Sequence, residues 1–187
     1  MYPKLIALTG FKGSGKDESA LALTGYTRYG IADPVKEICA IAFGLTEEEM
    51  TGDRVLKEKG LDRWPYESPR RLMQQVGTDL FRTLWPDVWV QAMRRHILNH
   101  EGQFIVISDL RFPNECEAVH QLGGIVVRVV RTDQPESLDP HPSERYIPQL
   151  PVDHEILAAT GEIESLHRQI RMIAGLPVEL TEEDYYE

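Results

Sequence analysis

An α/β fold, with a parallel sheet flanked by helices, is predicted by three observations. The nearly continuous apolar run Lys4–Thr9 leads directly into the glycine-rich loop Gly10-Phe11-Lys12-Gly13-Ser14-Gly15-Lys16-Asp17, and that loop opens onto Ala20-Leu21-Ala22-Leu23. A second apolar run, Phe104-Ile105-Val106-Ile107-Ser108, is followed by a helical stretch closing at Gly123-Gly124 and by a third run, Ile125–Val130. Strands buried on both faces read as continuous apolar runs, and a strand–helix–strand unit pairs in parallel with a right-handed crossover.

Composition bounds the rest. A chain of 187 residues supports one well-buried domain with insertions. The net charge of −10, from 20 basic and 30 acidic residues, argues against a nucleic-acid polymer or an anionic membrane as partner. Any anionic ligand must then be held by a local basic pocket. Two cysteines, Cys39 and Cys116, make no disulfide framework, and no apolar run is long enough for a signal segment or a membrane span. The expected compartment is the cytoplasm.

Taken in order, Lys4–Thr9 is expected to be the central strand. The first helix runs from about Gly15 to Thr24 and ends at Gly25, and Tyr26–Ile31 is a second short strand. Asp33-Pro34 opens a helix that sets Ile38, Ile41 and Ala42 on one face up to Gly44. Thr46 and Glu49 form a capping box, and Ser68-Pro69 caps a further helix in which Leu72, Val76, Leu80 and Leu84 recur every four residues as a core stripe. Arg71, Gln75, Thr78, Asp79 and Arg82 lie off that stripe, as a solvated face or as a binding face. Trp64 and Trp89 are base-stacking platforms or buried anchors. Thr132–Pro151 is a long proline-rich loop of the kind that serves as a lid. Asp153–Leu157 is the last strand, and Gly161–Ala174 is an amphipathic helix carrying Ile163, Leu166, Ile170 and Ile173 on one stripe. His96, His100, His120 and His167 do not stand at metal-ligand spacing.

The chemistry concentrates at strand ends. Glycines let loop N–H groups turn inward around an anion, the following helix N-terminus adds partial positive charge, and Lys16 can reach terminal phosphates. The spacing is Gly-x-x-x-x-Gly-Lys, with Asp17 where Ser or Thr usually stands. Asp109, at the carboxyl end of an apolar strand, either caps the next turn or positions a metal ion, and Arg111 two residues on has the forked geometry that grips phosphate oxygens. Ligands of open parallel sheets bind beyond these strand ends.

Several stretches together resemble the bacteriophage-type deoxynucleoside monophosphate kinases of the P-loop nucleoside monophosphate kinase superfamily. They are Gly13-Ser14-Gly15-Lys16-Asp17, Ala32-Asp33-Pro34-Val35-Lys36, Leu72-Met73-Gln74-Gln75-Val76-Gly77-Thr78-Asp79 with Arg82, Asp109-Leu110-Arg111-Phe112-Pro113-Asn114-Glu115, and His141-Pro142-Ser143-Glu144. The resemblance implies one P-loop kinase domain with a core of about 1–32, 101–131 and 152–187, a helical acceptor-binding insertion of about 33–100, and a lid of about 132–151. It implies ATP held by Gly10, Lys12, Gly13, Ser14, Gly15, Lys16, Asp17, Glu18 and Arg131. Lys16, Asp109 and Arg111 would act in catalysis, and Mg²⁺ would lie at Asp17 and Asp109. The acceptor would meet Lys36, Arg71, Gln75, Asp79 and Arg82. Arg145 is a second candidate for the lid cation.

The expected reaction is direct, in-line transfer of the ATP γ-phosphoryl group to a deoxynucleoside monophosphate, without a covalent enzyme intermediate. The alternatives are another small-molecule P-loop kinase, acting on dephospho-coenzyme A or a ribonucleotide, and a nucleotide-binding regulatory protein. Homodimerisation is left open.

Overall fold

The computed structural model describes residues 2–52, 54–133 and 145–178. Five strands form one all-parallel sheet in the order β2-β3-β1-β4-β5: β1 Leu5–Thr9, β2 Thr27–Tyr29, β3 Ile105–Ile107, β4 Ile125–Arg131 and β5 His154–Ala158. The predicted fold class is the observed one. β1 is central and buried along its whole length, with Ile6 registered against both Val106 and Ile125.

The chain divides into two compact units, one made of Met1–Gly30 with Ile97–Glu187, the other of Ile31–His96. In the first unit the sheet is packed on both faces. Ile6, Leu8, Val127, Val129 and Ile156 meet Leu23 of the segment after α1 (Lys16–Ala22) and Leu166 and Ile170 of the last helix, Ile163–Ala174. On the opposite face the helix Pro113–Gln121 lies against β1 and β4, and Gly124 sits so close to Leu5 and Val119 that a Cβ there would stand within 3 Å of both. Each fully buried branched side chain contributes about 1.5–3 kcal/mol, so this two-sided core is what fixes the strand ends in space. On the last helix, Leu166, Ile170 and Ala174 carry the buried face at intervals of four, whereas Ile163, expected on that stripe, opens the helix and is 46% exposed.

The second unit is built from helices alone among the described residues. α2 (Asp33–Phe43) has Pro34 in its first turn and ends at Gly44 in the left-handed region. Its buried face is Val35 and Cys39, not the expected Ile38, Ile41 and Ala42: Ile41 is 88% exposed. Two residues of α-helix advance about 200° around the axis, so once Cys39 faces inward Ile41 must face out. α3 (Glu47–Thr51) is closed by the predicted capping box, Glu49 N–H to Thr46 Oγ1 at 3.2 Å and Thr46 N–H to Glu49 Oε2 at 2.8 Å. The same carboxylate is gripped bidentately by Arg63 at 2.9 and 2.7 Å, and that fork, ahead of the cap, holds the Glu49 pKa down at about 2. α4 (Arg54–Glu58) follows, then α5 (Pro69–Gln74), with Ser68 Oγ accepting from Arg71 N–H.

The expected stripe breaks after α5. Leu72 and Val76 are buried, but Leu80 and Leu84 are 51% and 57% exposed. Gln75–Arg82 is a π-helix, which continues the chain into α6 (Val88–Asn99). Steps of four drift about 40° each on an α-helix, so the repeat marks one face only over its first members. Phe81 takes the inward role instead, its ring 5.4 Å from that of Trp89. Trp89, 4% exposed, is thereby an anchor, whereas Trp64 is 66% exposed. Among the described residues no helix is long and apolar enough to cross a membrane.

This packing separates the buried Leu72 and Val76 from the exposed Leu80 and Leu84. Leu72→Ala is expected to cost about 2–5 kcal/mol in chemical denaturation. Leu80→Ala and Leu84→Ala are expected to stay within about 0.5 kcal/mol of the parent. Comparable losses at all three would restore the α-helical stripe.

Candidate active site

The glycine-rich loop leaves the buried end of β1 and is shaped by what surrounds it. Gly10 has φ 142°, and a Cβ on it would lie 2.3 Å from the Val129 carbonyl oxygen of the neighbouring strand. Gly13 and Gly15 also have positive φ, and a Cβ on Gly15 would meet Leu166 at 2.8 Å. Only glycine fits such positions, so the loop lies flush against the sheet and the last helix. Across it, Lys16 Nζ donates to the Gly10 and Phe11 carbonyls, each at 2.7 Å, and the residue is 8% exposed. A buried ammonium fixed in the loop can meet phosphate charge without reorganisation.

The loop also holds buried hydroxyls. Ser14 Oγ and Thr9 Oγ1 make no hydrogen bond to any described residue, although both residues are nearly inaccessible. Such groups are uncommon in folded proteins and suit a donor aimed at a ligand oxygen. Beside them lies a cavity of about 250 Å³, lined by Gly10, Phe11, Ser14, Arg128, Arg131 and Glu155 among others. Arg131, half-buried at the end of β4, therefore stands next to the loop. Lys12 is half-buried, and Glu18 lies 3.7 Å from the His167 imidazole.

Asp17, in the first turn of α1, is exposed and paired with Arg28 at 2.6 Å. The same guanidinium donates through Nε to Ser108 Oγ at 3.0 Å. Arg28 thus ties the loop's acidic residue to the residue preceding Asp109. Asp109 and Arg111 occupy the turn after β3, half-buried, with Leu110 fully buried between them. That turn is set by Glu115, 1% exposed, whose Oε2 accepts from the N–H groups of Arg111 at 2.8 Å and Phe112 at 3.0 Å. The carboxylate sits in the first turn of Pro113–Gln121, where the helix dipole favours negative charge.

In the second unit, Arg71 and Asp79 come together at 3.7 Å, both about half exposed. Gln75 begins the π-helix and Arg82 ends it, its Nη1 3.5 Å from the Pro86 carbonyl oxygen. Arg71, Gln75 and Arg82 were expected to share one side on α-helical arithmetic, an argument that the π-helix removes for Arg82. Lys36 is engaged with Asp33 at 2.6 Å on α2. Among the described residues no group of three or more His, Cys, Asp or Glu is arranged to hold a metal ion. His141-Pro142-Ser143-Glu144 and most of the expected lid lie outside the described residues. Its described C-terminal end is pinned: Ile147 and Leu150 are buried, and Arg128 Nη2 donates to the Leu150 carbonyl at 2.8 Å.

Three contributors were missed from sequence. Arg128 was detectable as the one charge inside Ile125–Val130. Glu115 stands three residues after Phe112 in Asp109–Glu115, the spacing at which a first-turn carboxylate reaches back to backbone N–H groups. Arg28 carried no local signal, since it sits on a three-residue strand and acts on residues 11 and 80 positions away.

The Glu115 arrangement predicts a specific cost. Glu115→Ala leaves two N–H groups without their acceptor and is expected to destabilise by about 1–3 kcal/mol. Glu115→Gln keeps an acceptor oxygen and should recover most of that loss in the same denaturation experiment.

Comparison with known proteins adds the lineage. A family model described as deoxynucleotide monophosphate kinase matches residues 55–170. A mimivirus protein from Acanthamoeba polyphaga mimivirus, named "Putative deoxynucleotide monophosphate kinase", is 33% identical over 89% of this chain and 93% of its own length. The deoxynucleoside-5'-monophosphate kinase of Escherichia phage T5 is 26% identical over 94% of this chain and 97% of its own. A dephospho-CoA kinase from Campylobacter jejuni is similar in structure at a TM-score of 0.49 and 13% identity, covering 92% of this chain and 98% of that one, too remote a likeness to bear on substrate. Since the family model spans more than half of the sequence, the chain belongs to the deoxynucleotide monophosphate kinase family.

Proposed function

We propose that this protein transfers the γ-phosphoryl group of ATP to the 5′-phosphate of a deoxynucleoside monophosphate, giving the diphosphate. The observation that carries this reading is Lys16, buried and held across a glycine loop that admits no side chain at Gly10 or Gly15, in a chain of this family. Gly10 to Asp17, with Lys12, Glu18 and Arg131 beside it, is the proposed donor site. The hydroxyl of Ser14 is proposed to donate to a phosphate oxygen.

The acceptor phosphate is already a nucleophile, so the protein's task is alignment and charge neutralisation. Two anionic nucleotides repel one another, and in a protein of net charge −10 only local cations offset that. Lys16 serves the donor, and Arg111 is proposed to serve the transferred group from the turn fixed by Glu115. Lys36, Arg71, Gln75, Asp79 and Arg82 are proposed to bind the acceptor, with the half-exposed Arg71 as its principal phosphate contact.

Mg²⁺ fits the residues present. This ion is usually held by one or two carboxylates together with substrate phosphates rather than by an all-protein cage, and Asp17 and Asp109 are linked through Arg28 and Ser108. When bound it would neutralise charge on the β- and γ-phosphates. Asp17 must exchange its ion pair with Arg28 to take part, so the division of this duty between the two aspartates is measurable. Asp17→Asn is expected to raise the Mg²⁺ concentration needed for half-maximal rate. An unchanged titration would place the duty on Asp109.

Lys16→Ala is expected to lower kcat by about 10²–10³ with the circular dichroism spectrum unchanged. Arg71→Ala is expected to raise KM for the monophosphate while KM for ATP stays within about twofold. Activity of Lys16→Ala within a few-fold of the parent would overturn the donor site, and equal loss of affinity for both nucleotides would overturn the acceptor assignment.

A further inference from the structure

The π-helix Gln75–Arg82 carries three of the five proposed acceptor residues, and its geometry has a visible cause. π-helical turns are rare, and they occur disproportionately at functional sites. In an uninterrupted α-helix, residues eight apart stand about 80° from each other around the axis. Arg71 and Asp79 are eight apart and yet lie 3.7 Å from one another. The wider turn brings Asp79 back over Arg71.

Two features hold the turn open, and a third adds packing beside them. Gly77 lies so near α2 that a Cβ on it would stand 3.3 Å from Val35 Cγ2. The carbonyl of Gly77 accepts the indole N–H of Trp89 at 2.7 Å, a buried bond from a side chain twelve residues away. A carbonyl engaged from outside the helix is drawn off the axis, one of the recognised ways in which a helical ladder is opened. The Phe81 ring, 5.4 Å from the indole, packs on the same residue. Gly77, Thr78 and Asp79 are weak α-formers, so the segment resists this distortion little.

We infer that Trp89 is a positioning residue for the acceptor site. Its indole N–H holds the Gly77 carbonyl, keeps the turn wide, and so sets Asp79 and Arg82 relative to Arg71. The inference rests on the acceptor assignment made above, and it adds a specificity device that touches no substrate.

Trp89→Phe is the direct test, because it keeps a ring against Phe81 and removes the N–H donor together with part of the indole's volume, a packing loss that the Phe81→Leu variant controls for. KM for the deoxynucleoside monophosphate should rise about tenfold, the size of one lost buried hydrogen bond, while KM for ATP stays within about twofold. Phe81→Leu, which leaves the indole bond in place, should lower the melting temperature without shifting the ratio of the two Michaelis constants. A folded Trp89→Phe enzyme with an unaltered monophosphate KM overturns the inference while leaving the kinase reading intact, since the parent's monophosphate-dependent turnover is measured in the same assay. Should Trp89→Phe fail to fold, the parent protein decides. Its ¹⁵N-labelled Trp89 indole resonance, assigned with the exposed-site variants Trp64→Phe and Trp85→Phe, should move on adding monophosphate and stay fixed on adding ATP. A resonance that ignores the monophosphate overturns the inference.

Discussion

The approach of the Gly10 backbone to the Val129 carbonyl is the constraint from which the donor site follows. With a would-be Cβ only 2.3 Å from that oxygen, no other residue lets β1 turn into the loop while β4 stays registered against it. The flush loop brings its own carbonyls within 2.7 Å of Lys16 Nζ and leaves Ser14 buried beside Arg131. Sheet register, loop path and lysine position are thus one problem. It is solved by the buried core on both faces of the sheet, which holds β1 and β4 together.

Charge is organised on the same principle of local placement. A net charge of −10 would repel nucleotides, yet cations on the strands are fixed by specific partners: Arg28 by Asp17 and Ser108, Arg128 by Glu155 and the Leu150 carbonyl. Glu115 contributes through bonds to the backbone. It aims two backbone N–H groups and thereby the segment bearing Asp109 and Arg111. Fixed groups of this kind lose little freedom when a ligand binds, which is why they can be effective in small number.

The sheet was legible in the sequence because Leu5–Thr9, Ile105–Ile107 and Ile125–Arg131 are apolar on both faces and punctuated by glycines. The loop was legible because its glycine spacing is local. What sequence did not show was any feature that depends on distant partners or on an unusual helical period. Leu80 and Leu84 were placed in the core because a repeat of four was read as one face over three steps, and the π-helix beside them rests on a tie between Trp89 and Gly77 that spans twelve residues. Ile41 failed for a simpler reason: the stripe Val35–Cys39 was an equally good α-helical face, and periodicity alone does not choose between faces. Arg28 gave no signal at all, since a lone arginine on a short strand looks like any exposed cation.

The central claim is a transfer between two nucleotides, and the most direct measurement follows the phosphoryl group itself. ATP labelled at the γ-phosphate is incubated with the protein, Mg²⁺ and a panel of deoxynucleoside and ribonucleoside monophosphates, and the products are separated. The account predicts label in one or more deoxynucleoside diphosphates, at rates well above those for the ribonucleotides and dependent on the monophosphate concentration. Label appearing only as inorganic phosphate, at a rate indifferent to every monophosphate, would contradict it.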